Sequence, residues 1–200
     1  MQYMSESLNP NEEIIKIGHF HYMYTVNAIM WVGIGVILAW GILYASYYWE
    51  ISRIVSQQFE NLPDALKSRA WDEVVARKGG VMTIILGQHI GVKVAAIIAF
   101  VFGVYCFASM MVNKAYTEIC VTNERLVLKR GVLSVHSNEL NVDRIEGVSV
   151  LQGMIGRLLN YGVVVVRGQG IGEVELPTIA DPITFRRAID RAKAVDEDNG

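Results

Sequence analysis

Residues 24–49 read YTVNAIMWVGIGVILAWGILYASYYW, and this stretch decides the fold class. It lies inside a longer gap, between Lys16 and Glu50, that holds no Asp, Glu, Lys or Arg. A helix needs about 20 apolar residues to cross the hydrocarbon core of a bilayer. A core helix in a small water-soluble domain seldom runs so far without a charge, so the stretch reads as a membrane span. Trp31, Trp40 and Tyr44 add aromatic rings, and the Tyr47-Tyr48-Trp49 cluster suits a membrane–water interface. It reads as a retained span rather than a cleaved leader. It exceeds the length of a leader's apolar segment, starts after a polar tail and has no small-residue cleavage site behind it.

Working outward, a second apolar block, VAAIIAFVFGVYCFASMMV, covers Val94–Val112 between Lys93 and Lys114. As a helix it is about 28 Å long, close to the thickness of the hydrocarbon core. Residues 81–92 are also uncharged but include Gln88 and His89, and read as an interfacial lead-in to the same helix. The two blocks account for a composition of 52% hydrophobic and only 19% charged residues, against roughly 25% charge in average chains. Mean hydropathy is +0.30. This excludes a disordered chain, and two cysteines exclude a disulfide framework. A net charge of −2 and a pI near 6.1 give no basic field for nucleic acid.

The organisation expected from these features has six parts. Residues 1–20 form a polar N-terminal tail and 21–49 the first transmembrane helix. Residues 50–80 form an amphipathic linker. Residues 81–112 are the lead-in and second transmembrane helix, 113–195 a β domain and 196–200 an acidic tail. In the linker, Ile51, Ile54, Val55, Phe59 and Leu62 recur at helical spacing. Asn61 is placed to cap a helix starting near Pro63, with Leu66, Ala70, Trp71, Val74 and Val75 on one face, and Gly79-Gly80 to end it. Two readings of that face stand: it lies on the bilayer surface, or it packs on the C-terminal domain.

From Tyr116 the apolar period changes to two. YTEICVT, RLVLKRG, GVLSVHSNEL, IEGVSVLQ, YGVVVVRG and IGEVELPTI are short strand-like runs. Thr122-Asn123-Glu124, Arg130-Gly131, Asn160-Tyr161-Gly162 and Gly168-Gln169-Gly170 mark turns, with Gly131 and Gly162 expected at positive φ. Evenly spaced short strands predict a small barrel or sandwich. A closing helix follows, with Asp181 as N-cap, Pro182 at its first position and an apolar stripe of Phe185, Ala188, Ile189 and Ala192.

The stretch from Glu118 to Gly170, followed by DPITFRRAI, resembles the pleckstrin-homology-like domain of bacterial YdbS-type membrane proteins. The pieces that carry the resemblance are VTNERLVLKRGVL, ELNVDRIEGV, IGRLLNYG with its Val-rich strand, and the D-P-x-x-F helix start. The resemblance covers residues 116–194. It implies a membrane-anchored α+β protein: two transmembrane helices followed by a PH-like β-barrel or sandwich capped by a C-terminal helix. It also implies no established catalysis.

No nucleophile elbow, P-loop, HExxH or CxxC is present in the sequence, so catalytic, cofactor-binding and metal residues are assigned as none. The Gly168–Gly172 cluster lies between two strands and reads as a hairpin loop, not a phosphate cradle. His19 and His21 are read as interfacial residues, since no nearby cysteine and only Glu12 and Glu13 accompany them. Cys106 and Cys120 are expected to be free thiols.

Two residue sets remain as candidates. Lys114, Arg125, Lys129 and Arg130 follow the second span and form a juxtamembrane basic set for contact with an anionic lipid surface. Gly35 and Ala39, and Ala95, Ala99 and Gly103, recur every four residues and are candidates for close helix packing, within one chain or between copies. The expected partners are the lipid bilayer and a protein partner or second copy, with no nucleic acid and no small-molecule substrate identified. The functional expectation is a non-catalytic, membrane-tethered interaction or assembly module in the bacterial inner membrane, with the PH-like domain and both termini on the cytoplasmic side. The alternative is an accessory subunit of a membrane enzyme or transporter, with a site in the linker or between the spans.

Overall fold

The computed structural model describes residues 12–58, 63–131, 136–170 and 172–199. The expected Asn61 cap, Phe59, Leu62 and residues 132–135 lie outside the described residues. The chain divides into two compact units, residues 28–108 and residues 1–27 with 109–200.

The second of these units begins with a correction. Residues 14–18 are not tail: Ile14–Gly18 is a strand, β1, that pairs antiparallel with β2, Glu118–Thr122. The unit is thus built from two pieces of chain separated by the apolar blocks. β3 (Arg125–Arg130) and β4 (His136–Asn141) complete a four-stranded sheet ordered β1-β2-β3-β4. A 3-10 turn over Val142–Arg144 leads into β5, Ile145–Leu151. A short helix α5, Met154–Leu158, precedes β6, Tyr161–Gly168. The last predicted run is split: β7 is Gly172–Glu175 and β8 is Ile179–Ala180, with Pro177 between them where a ladder donor is missing. β6 is central to the second sheet, pairing with β5, β7 and β8. The result is a sandwich of two sheets, not a closed barrel.

The core follows from the register. Ile119 faces Leu128 and Val121 faces Leu126, which in turn faces Leu140, so one side of the first sheet is continuous Ile, Val and Leu. Val164 and Val166 of β6 are fully buried opposite them. Gly168 lets the sheets close, since a Cβ there would stand 2.8 Å from Leu140 Cδ1. The C-terminal helix α6 runs Pro182–Asn199, so the expected acidic tail is helical backbone through Asn199. Phe185, Ile189 and Ala192 on its apolar stripe complete the core. Lys193 Nζ donates to Ile145 O at 2.7 Å, tying its exposed side back to β5.

Two turn assignments differ from expectation. Gly131 has φ 118° as expected, but Gly162 is not at positive φ; Asn160 is, at 57°. Gly162 is needed for space, because a Cβ there would lie 2.7 Å from Leu151 O. Asp181 also has φ 56°, and its carboxylate accepts from Asn160 Nδ2 at 2.6 Å instead of capping α6; its backbone carbonyl receives Phe185 N–H at 3.0 Å.

In the helical unit, α1 is Tyr22–Gln58, extending nine residues beyond the expected span end at 49. α2 is Asp64–Arg77, and Gly79 and Gly80, at φ 82° and 92°, end it. The expected lead-in is a separate helix, α3 (Val81–Gly87), and α4 is Ile90–Ala115. Gln88, extended at ψ 155°, breaks the two apart, and its Nε2 donates to Leu43 O at 3.1 Å. Part of the linker's apolar face packs inside the helical unit. Ala70 and Val74 pack with Tyr47, Ile51 and Val55 of α1 and Ile84 of α3. Positions 47, 51 and 55 fall on one face of α1, which explains why the helix outlasts its apolar run.

Candidate functional site

The end of the sandwich unit from which the two long helices leave is its candidate functional surface. His21, the residue before α1, is buried. Its Nδ1 accepts Met23 N–H at 3.2 Å, filling the place of a helix-capping side chain, and its ring stacks on Tyr161 at 5.0 Å. His19 is exposed, and among the described residues no group of three His, Cys, Asp or Glu could hold a metal ion. Beside this entry, Phe20, Tyr24, Asn113, Thr117, Arg130 and Pro177 border an open hollow of about 400 Å³.

The four predicted basic residues do not form one set. Lys114 is half-buried and donates to Thr25 Oγ1 at 2.7 Å, and Arg130 donates to Glu175 O at 2.8 Å near the hollow. Arg125 lies at the other end of β3. Positions an odd number apart on a strand face opposite sides, so Arg125 and Arg130 diverge, whereas Lys129 shares the side of Arg125. Lys129 stands opposite Glu118 in the β2–β3 register.

Arg125 is instead the centre of a polar clamp. Its Nε and Nη2 hold the two oxygens of Glu12 at 2.9 and 2.7 Å, and its Nη1 reaches Glu139 at 2.7 Å. The Glu12 side chain has no exposed surface, and that of Arg125 is 21% exposed. Thr122 Oγ1 donates to Glu12 at 2.7 Å and accepts Arg125 N–H at 3.0 Å. The Glu12 hydrogen bond raises the Arg125 pKa above its usual value, so the guanidinium stays charged throughout. This clamp fastens the segment before β1 to the β2–β3 turn, a structural task that the spacing of charges does not reveal. Burial pushes the neighbouring Cys120 thiol up to about 11, aided by Glu12. Cys120 and Cys106 are both free thiols.

The small-residue set is also divided. Gly35 and Gly103 stand backbone against backbone: a Cβ on Gly103 would lie 2.6 Å from Trp31 O and 2.9 Å from Gly35 Cα. Ala99 O is 3.2 Å from the Cβ position of Gly35. Ala95, however, is exposed, and Ala96 is the buried alanine. Eight residues back from Gly103 is 80° off its face, and seven residues is only about 20° off. Ala39 is half-buried.

The family model described as Bacterial PH domain matches residues 74–193, more than half of the chain. The chain belongs to this bacterial PH domain family. The match begins inside α2 and includes α3 and α4 as well as the sandwich from β2 into α6, so it starts well ahead of the expected boundary at 116. β1 lies outside the matched residues. No curated protein and no solved structure matches the chain. A bacterial PH domain suggests a non-catalytic interaction module.

Proposed function

We propose that α1 and α4 span the bacterial inner membrane and tether the PH domain to its cytoplasmic face, where it acts as a non-catalytic interaction or assembly module. One observation carries this reading. In the most apolar windows of these helices, of mean hydropathy 2.1 and 2.3, only 11% of the residues are buried. The core helix of a water-soluble domain buries such a window; here the apolar side chains face outward, where lipid would receive them. An even number of spans places both termini on one side, with residues 50–80 outside.

The orientation is tested with single cysteines at 68 and 198 and a membrane-impermeant thiol reagent on intact cells. Labelling at 68 and not at 198 supports the proposal, and the opposite pattern reverses it. A second reading, an accessory subunit with a site in the helical unit, is favoured by one group. Gln88 is 5% exposed, and its Oε1 has no partner among the described residues. A buried amide oxygen without a partner is costly, and such a group calls for an explanation such as a bound partner. Under this reading Gln88→Leu abolishes the host complex's activity while the protein still accumulates.

A further inference from the structure

The helix α5 is the most exposed apolar feature of the sandwich unit. Met154 is 91% exposed and Leu158 83%, and Ile155, Leu151 and Ile183 are exposed beside them. Surface apolar residues scattered singly need no explanation, but five on one short helix and its flanks do. The fold holds α5 out deliberately. Gly156 is buried, and a Cβ there would lie 2.7 Å from Tyr161 O, while Gln152 Nε2 donates to that same oxygen at 3.0 Å. The backbone of α5 is thus pressed onto the start of β6, and its large side chains are turned away.

Resting on the membrane reading above, we propose that α5 with Leu151 and Ile183 is a wedge that inserts into the headgroup region of an anionic lipid surface. Two observations favour lipid over a protein. The first is charge. Arg157 on α5 and Arg186 on α6 are exposed and border, with Leu151 and Ile183, an open hollow of about 730 Å³. Apolar residues that enter the interface flanked by arginines are the pattern of a surface-lying amphipathic element. Asp190, 3.6 Å from Arg186, is a partly exposed counter-charge that offsets one of the two. The second is place. Tyr161, against which α5 is pressed, stacks on His21, the residue at which the chain enters α1.

The test uses the full chain with Cys106→Ser, in which the remaining Cys120 is buried, reconstituted in vesicles of phosphatidylcholine and phosphatidylglycerol. An environment-sensitive fluorophore is attached at Leu158→Cys, Ile98→Cys or Glu173→Cys. Glu173 pairs in register with Arg167, at the far end of β6 from Tyr161. Nitroxide on the lipid acyl chains reports insertion. The proposal expects a blue shift and loss of emission at 158 as at 98, and neither at 173. If 98 is quenched and 158 behaves like 173, the wedge is wrong and the membrane reading stands. If 98 is not quenched, the membrane reading fails and takes the wedge with it. A blue shift at 158 without quenching by lipid means that protein covers the patch, which also overturns the proposal.

Discussion

The sandwich and the helical unit hold themselves together in opposite ways. In the sandwich, bulk fills space: Ile119, Leu126, Leu128, Val164, Val166 and Phe185 are at most 1% exposed and meet through side chains. Where α1 crosses α4, absence of bulk is the contact, with Gly35 and Gly103 so close that no Cβ fits. In water, removing apolar surface drives packing. Between helices in lipid that drive largely vanishes, and close backbone approach with dispersion takes its place. The same chain therefore carries two rules: the sandwich is harmed by truncation and the crossing by addition.

The first way to break this contrast is to truncate the sandwich. Phe185→Ala is expected to cost about 3–5 kcal/mol, read as a lower denaturant midpoint of the purified full chain. Cutting a side chain on the exposed side of α1, Ile37→Ala at a residue 70% exposed, is expected to leave that midpoint unchanged. Next comes the clamp. Glu12→Gln leaves Arg125 without its buried anion and is expected to cost about 1.5–3 kcal/mol, so the sandwich depends on a residue that precedes both helices. A melting point that does not move would show that the Glu12–Arg125 pair does not hold the sandwich together.

The complementary experiment adds bulk. Gly103→Leu is expected to cost about 1–3 kcal/mol and to lower disulfide crosslinking between cysteines placed at 39 and 99. Gly41→Leu, where a Cβ meets nothing within 4 Å, is the matched control and should leave the yield intact. The smallest effect is on pH dependence within the sandwich. The Cys120 thiol is pushed from 9.0 to about 11 on folding, so the folded chain keeps a proton that the unfolded chain releases. That contribution is fully present below pH 9 and is lost as pH rises toward 11. Cys120→Ala is expected to flatten the decline in stability across that window.

Much of this was legible from residue pattern because burial imposes a period. The apolar blocks gave both long helices, alternation of Val, Ile and Leu gave β2 to β6, and the Phe185–Ala192 stripe gave α6. What stayed hidden depended on partners distant in sequence. β1 is five residues long, its partner is about a hundred residues away, and a bulge between Ile14 and Lys16 disturbs its alternation. α5 is too short for a helical period to register, and only its exposure in the fold makes it conspicuous. Arg125 looked like its basic neighbours because a charge count does not record which side of a strand faces Glu12. The break at Gln88 lies in an uncharged run, where nothing but one amide distinguishes a continuous helix from two.

The contrast depends on α1 and α4 facing lipid. The most direct test is to wash membranes containing the full chain with alkaline carbonate and follow the protein by sedimentation. The account predicts that it stays with the membrane pellet, as does a Phe185→Ala variant whose sandwich is weakened. Release of the unmodified chain into the supernatant would contradict it, because helices of this length held in the bilayer are not removed by charge or pH.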